Sequence, residues 1–306
     1  MALIKMNNKL EENLDTGFKM FIEDRVAQNL AEATIKSYKH HWRQFCLWYD
    51  GTIPQINEKA IIQYKQHLKS IGWKDVSINS NIKHLKAIFN FWHNEGMMEK
   101  VKISFLKTQE EPKDTFTSDE LKVLLKKPNV KGVSFSEYRT WAIINTLAGT
   151  GMRVGTLVNL KIEDLDFESG LIGYRHTKNK KYQHVPMSPA LIKVLKAYLK
   201  HRGGSQGEYV FPSENNTKLL ESSVTHRIKK YCIARGIEKG NSHLFRHTFA
   251  KHWILSGGEG LKLQKILGHS DMKMVQHYAN LYGKDLSVGF DKHDLLSANT
   301  VERIKL

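Results

Sequence analysis

Apolar and aromatic residues recur at helical spacing through the first third of the chain. Between Thr34 and Asp50 they fall at Ile35, Tyr38, Trp42, Phe45 and Trp48, a stripe that predicts an amphipathic helix with Thr34 as its N-cap and Gly51 beyond its end. The stretch from Asn57 to Ser70 repeats the pattern with Ile61, Tyr64 and Leu68. Ser77 to Asn94 repeats it again with Ile78, Ile82, Leu85, Phe89 and Trp92, and Gly72 and Gly96 are placed to end these two helices. A further helix around Asp15 to Gln28 completes a four-helix unit, large enough for a small bundle to support its own core.

The periodicity stops at Leu106 to Thr115, where LKTQEEPKDT is polar and holds Pro112, as an interdomain linker would. Directly after it, Thr117 and Glu120 form a T-x-x-E capping box ahead of Leu121, Leu124 and Leu125, which predicts a helix start. Leu171 to Arg175 and Tyr182 to Met187 flank a turn rich in Lys and Asn, the pattern of two antiparallel strands. Helical patterns resume at Pro189 to His201, Glu221 to Arg235 and Leu244 to Leu255, with no internal repeat and no low-complexity tract. The expected fold is therefore mainly α with a small antiparallel β-sheet, an α+β chain. Its expected parts are a helical domain at 13–105, a linker at 106–115, a second domain at 116–290 and a tail at 291–306.

Charge narrows the function. Lys and Arg total 47 against 31 Asp and Glu, a formal net charge of +16 spread along both halves of the 306 residues, so the expected partner is an anion and nucleic acid fits best. Lys36, Lys39, His40, His41, Arg43, Lys83 and Lys86 stand on the outward side of the N-terminal helices, either meeting DNA phosphates or forming an ordinary solvated face. Cys46 and Cys232 are too few and too separated for a disulfide framework. The start MALIKMNNKLEEN lacks the apolar run of a signal peptide, and no segment reaches the roughly 18 apolar residues of a spanning helix. A soluble protein of a reducing cytoplasm, without a membrane partner, is the expectation.

Candidate chemistry collects in the C-terminal half. GTGMRVGTLVNL carries Arg153, HLFRHTFAKHWI carries His243 and Arg246, and LGHSDMKMVQHYANLY carries His269 and Tyr278. Guanidinium presents a planar fork matched to phosphate oxygens and stays charged at any working pH, and imidazole titrates near neutrality. These residue types can hold a phosphodiester beside a hydroxyl nucleophile. A metal site is the other reading of His243, His247 and His252, since a four-residue spacing places two ligands on one helix face. Against it, the segment has neither the H-E-x-x-H pattern nor a nearby cysteine.

Taken together, these blocks resemble the tyrosine recombinases, the phage integrase family, across most of residues 116–282. The N-terminal third resembles that family only in size and helical character. The resemblance implies a site-specific DNA recombinase in which Tyr278 attacks the phosphodiester to form a 3′-phosphotyrosyl link. Arg153 and Arg246 would clamp the phosphate. His243 and His269 would hydrogen-bond it, with His243 also able to take the tyrosine proton. Lys178, in RHTKNKKYQHVPM, would protonate the leaving 5′ oxygen, with Lys180 and Lys181 in the same turn as competitors. Tyr282, four residues past Tyr278, is the rival nucleophile. The resemblance further implies a core-binding domain closing with the catalytic domain around double-stranded DNA as a clamp. It also implies a homo-tetramer on two duplexes passing through a Holliday junction, a tail that packs on a neighbouring protomer, and room for accessory DNA-bending or directionality proteins. Neither a metal nor a cofactor is implied, and a G-x-x-x-x-G-K-[ST] phosphate loop is absent. The short stretch ahead of the first helix favours a simple two-domain recombinase over one with an arm-binding domain.

One position departs from the family. The acidic residue that follows the first arginine in many members is Thr156 here, so support for Arg153 has to come from elsewhere. Two further classes remain open: a DNA-binding protein that kept the fold and lost the chemistry, and a type IB topoisomerase that relaxes DNA as a monomer.

Overall fold

The computed structural model describes residues 13–108, 114–175, 182–269 and 271–282. The turn bearing Lys178, Lys180 and Lys181 and the tail at 291–306 lie outside the described residues. The chain divides into two compact units, Met1–Glu110 and Glu111–Leu306.

The first unit contains α1 (Leu14–Ala27), α2 (Glu32–Cys46), α3 (Glu58–Ser70) and α4 (Asp75–Asn94). Its core is aromatic. Phe21, Phe45, Tyr64 and Trp92 are fully buried, and the Trp92 indole donates to the backbone oxygen of Gly17 at 2.8 Å, which satisfies its one polar atom. Two helix starts lie earlier than the sequence predicts. α2 is capped by Ala31 and not Thr34, because Asn29 at φ 57° turns the chain sooner and Glu32 occupies the first turn, where a carboxylate suits the helix dipole. α4 begins at Asp75, which meets Lys69 at 3.5 Å, and not at Ser77. Gly72 and Gly96 follow α3 and α4 at φ +86° and +74°, a backbone region in which only glycine is at ease. Beyond α4, Leu106 is tied to Asn79 by two hydrogen bonds of 2.8 and 2.9 Å, so this end of the polar segment packs on its own unit.

The second unit opens with α5 (Ser118–Leu125), where the Thr117 and Glu120 capping box forms in both directions. The helix α6 (Phe135–Thr150) runs through its centre with eleven buried residues around most of its circumference. A helix buried on nearly all sides has no polar stripe, which is why periodicity does not predict it. Its buried hydroxyls at Thr140, Thr146 and Thr150 return to carbonyls one turn back at 2.6 to 2.8 Å, which satisfies these three donors. The short α7 (Val154–Leu157) follows, then a three-stranded antiparallel sheet ordered β1 (Leu165–Asp166), β2 (Leu171–Arg175), β3 (Tyr182–Pro186). β2 and β3 pair as predicted from Leu171 opposite Pro186 to Arg175 opposite Tyr182, and the two-residue β1 adds a strand too short to show an alternation. The unit ends with α8 (Pro189–Arg202), α9 (Glu221–Ile233), α10 (Ser242–Leu255), α11 (Gly260–Leu267) and α12 (Lys273–Tyr282). Among the described residues no helix is long and apolar enough to cross a membrane.

Candidate active site

Two helix ends build the frame of the site. α6 terminates at Gly151 and α11 at Gly268, each with φ +63° in the left-handed region, so each helix stops with its last carbonyls turned out and unpaired within the helix. α10 starts on Asn241, whose side chain accepts from the Leu244 amide at 3.0 Å, and this start sets the phase of the residues that follow. Arg246 then projects between the two helix ends. It donates to the Gly151 oxygen at 2.8 Å and to the Leu267 oxygen at 2.9 Å. Arg153, the residue preceding α7, reaches the Leu267 and Gly268 oxygens at 3.4 and 3.5 Å.

The carbonyl ends of helices carry partial negative charge, which suits a guanidinium without neutralising it. Thr156, buried at 7% exposure, stands where many family members have an acid, and the α11 carbonyls are part of what supports Arg153 in this chain. Arg246 is only 5% exposed, and burial with the neighbouring charge of Arg153 brings its pKa down to about 10. Two cations lie close together, and the arriving species that best relieves them is an anion.

His269 follows the end of α11 and is buried at 9% exposure. Its Nε2 accepts from Arg246 at 2.5 Å, which places the ring proton on Nδ1. That Nδ1 is buried with no hydrogen-bond partner among the described residues, a donor available to an oxygen. Burial, Arg246 and Arg153 lower the His269 pKa to about 4, so the ring is neutral at physiological pH. Tyr278, on α12, is 2% exposed, and its ring lies parallel to that of His269 with centroids 6.2 Å apart. Burial raises its pKa, opposed by the charge and hydrogen bonding of Arg246 and by the charge of Arg153.

The structure thus brings Arg153, Arg246, His269 and Tyr278 into one cluster. His243 lies one turn before Arg246 on α10; it is exposed, and its imidazole makes no hydrogen bond among the described residues. Lys178 lies outside the described residues, and the strands leading to its turn are anchored to the site. Gln183 on β3 donates to the Lys265 and Ile266 oxygens at 2.5 and 2.9 Å, fastening the sheet to the end of α11. Nothing is described of the Tyr282 side chain.

Two residues join the site without being assigned to it by sequence. His247, otherwise a packing residue or a metal ligand, places Nδ1 2.9 Å from the Tyr278 hydroxyl. Tyr174 on β2 is buried, which pushes its pKa up to about 12 against the opposing charges of Arg246 and Arg153. Its inward position follows from strand alternation, the one signal that marked it.

In the first unit, Lys36, Lys39, His40 and Arg43 lie exposed on α2 and Lys83 exposed on α4, while Lys86 is half-buried and reaches over the Phe105 ring at 5.6 Å. Lys36 is paired with Glu32 at 2.8 Å. His41 does not add charge to this face. It is half-buried with its ring centroid 4.1 Å from that of His84, and burial together with His84 and His40 lowers its pKa to about 4.

A buried guanidinium and a half-buried one beside a tyrosine hydroxyl and a neutral imidazole are suited to nucleophilic phosphoryl transfer, with cations for the non-bridging oxygens and a hydroxyl for the phosphorus. The model of the phage integrase family matches residues 114–284. Tyrosine recombinase XerA of Pyrococcus furiosus is 30% identical over 269 residues, 86% of this chain and 88% of that protein. The Tn1549 transposon integrase in complex with a circular intermediate DNA superposes with a TM-score of 0.73 at 21% identity, covering 87% of this chain and 95% of that one. The lambda integrase tetramer bound to a Holliday junction superposes at 0.70 with 17% identity, covering 87% and 80%. The chain belongs to the phage integrase family, the tyrosine site-specific recombinases.

Proposed function

We propose that this recombinase cuts and rejoins DNA through a 3′-phosphotyrosyl intermediate formed by Tyr278. The observation that carries the proposal is the placement of the Tyr278 hydroxyl beside Arg246, in a cluster whose buried positive charge has no carboxylate on Arg246 among the described residues. The scissile phosphate would enter between Arg153 and Arg246, with the Nδ1–H of His269 donating to a non-bridging oxygen and His243, from the exposed first turn of α10, to another. Tyr278 packs beside Arg246 of its own protomer, which favours cleavage by each protomer of its own bound strand. Lys178 in the hairpin turn would protonate the 5′ oxygen as it leaves. The bond energy is conserved in the phosphotyrosyl ester, so the freed 5′ hydroxyl of a partner strand can attack it without nucleotide hydrolysis.

Two duplexes exchanging strands in this way pass through a Holliday junction with four protomers engaged, the assembly in which the lambda integrase neighbour was captured. The basic face of α2 and α4 would hold the duplex through phosphate contacts, with affinity falling steeply as salt rises. Accessory proteins, where present, would act on DNA bending or on direction, and the cytoplasm is the proposed compartment.

The test uses nicked duplexes from the gene's own genomic neighbourhood, incubated with the full-length protein and resolved under denaturing conditions. The expected result is a covalent protein–DNA adduct that Tyr278→Phe abolishes while retaining DNA binding. An adduct that persists in Tyr278→Phe would transfer the role to another tyrosine, Tyr282 first. Binding without any adduct by the wild-type protein would favour a DNA-binding role alone.

A further inference from the structure

We infer that His247, and not His243, takes the nucleophile's proton. The inference rests on Tyr278 being the nucleophile, and it assigns a group that the resemblance leaves out of the catalytic set. His247 Nδ1 lies 2.9 Å from the Tyr278 oxygen, within direct transfer distance, and the two rings are 5.6 Å apart. His243 precedes His247 by four residues on α10, and its exposed imidazole makes no hydrogen bond among the described residues. His269 cannot accept this proton, because its Nε2 is occupied by Arg246 and its other nitrogen already carries one.

Position explains why one histidine differs from the other. Arg246 fixes α10 by reaching both helix ends, and the next residue, His247, is carried to the α12 side of the helix, where Tyr278 is packed. The half-buried ring of His247 lies beside a tyrosine that is 2% exposed, so the pair is shielded from bulk water. Among the described residues, Arg246 and His269 face this pair, with Arg153 and Tyr174 behind them. In the free protein burial holds the proton on Tyr278 against the charges of Arg246 and Arg153, and the same two guanidiniums oppose a third cation on His247. The scissile phosphate adds negative charge to the same space and removes that opposition, so deprotonation is tied to the arrival of DNA.

Bonds and protons balance in each direction. Tyr278 Oη forms a bond to phosphorus, the bond from phosphorus to the 5′ oxygen breaks, the phenolic proton passes to His247 Nδ1, and the 5′ oxygen takes a proton from the hairpin acid. On rejoining, a 5′ hydroxyl attacks, the Oη–P bond breaks, and His247 returns the proton to Oη.

The deciding experiment is single-turnover cleavage of a nicked duplex by wild-type, His247→Asn, His247→Ala and His243→Ala proteins. Each is run on a normal phosphodiester and on one with sulfur at the bridging 5′ position, whose thiolate leaves without protonation. Asparagine can accept a hydrogen bond from Tyr278 but cannot hold its proton. Both His247 variants are expected to lose about 100-fold in rate on both substrates, the low end of general-base contributions, with DNA binding retained. His243→Ala is expected to lose less than either. A His247→Asn protein that cleaves at the wild-type rate overturns the inference, since hydrogen bonding alone would then suffice. Restoration of His247→Asn by the sulfur substrate also overturns it, by placing His247 on the leaving group. A wild-type protein that forms no adduct fails the recombinase chemistry itself, which is a separate result.

Discussion

Replacing His269 by Gln should flatten the acid limb of the catalytic unit's stability. The imidazole titrates at about 4 in the folded protein against an ordinary 6.5, because burial comes first and the charges of Arg246 and Arg153 add to it. A histidine whose folded pKa is depressed is held neutral by the fold. Its contribution to stability is complete above the unfolded value of 6.5 and is lost as pH falls through the interval down to about 4, where the unfolded chain binds a proton that the native state refuses. Between about pH 7.5 and about pH 4.5 this one group withdraws about 2 to 3 kcal/mol at most.

Urea denaturation of the wild type and His269→Gln at both pH values measures the difference, and comparing the two proteins cancels other groups. His41 in the first unit, also lowered to about 4, is one of those. Gln keeps a hydrogen-bond acceptor for Arg246 and cannot titrate, so the variant should lose about 2 kcal/mol less on acidification than the wild type. Direct titration of the His269 ring by NMR gives the same quantity independently. A ring that titrates near 6.5, or a variant with the wild-type pH dependence, would refute both the buried-cation argument and the view that His269 meets DNA as a neutral donor.

Two further outcomes follow from how the frame is built. Gly151→Ala puts a Cβ 2.7 Å from Leu267 Cδ2 and from Phe249 Cδ1 at a φ of +63°, so strain and contact together should destabilise the catalytic unit by about 2 to 3 kcal/mol, read by urea denaturation; a variant as stable as the wild type would mean the α6 end is not rigid. Gln183→Ala releases β3 from the Lys265 and Ile266 oxygens and should slow cleavage of the normal phosphodiester about 10-fold, with DNA binding and the sulfur-bridged reaction much less affected. Equal slowing on both substrates would show that the tether does not serve leaving-group protonation.

The elements that sequence reveals and those it hides separate by burial. α3 is legible to within a residue because it has one wet face and one dry face, and Asn57 caps it with an oxygen on the Ala60 amide at 3.0 Å. α6 is not legible, because burial on most sides removes the polar stripe that periodicity needs. The same burial hides how the site works. Arg153, Arg246, His269 and Tyr278 stand out by residue type and spacing, and they do cluster, but nothing in those letters says that helix ends would hold the arginines. The local signal for that is the pair of glycines, Gly151 two residues before Arg153 and Gly268 directly before His269, each of which ends a helix and turns its last carbonyls outward.

His247 shows the limit of reading a helix by spacing alone. His243 and His247 are separated by four residues and so share a helix face in the sequence, yet one is exposed and the other touches the tyrosine. What separates them is the partner helix: α12 packs against α10 and brings Tyr278 to the later turn, a long-range contact that no local pattern encodes. The arrangement also orders the reaction. Arg246 meets Gly151, Leu267 and His269 at once, so a change in any of these three segments moves the phosphate clamp and the residue next to it in the chain together. Binding of phosphate and readiness of the nucleophile are then one structural event, and variants of the frame should lose both in proportion.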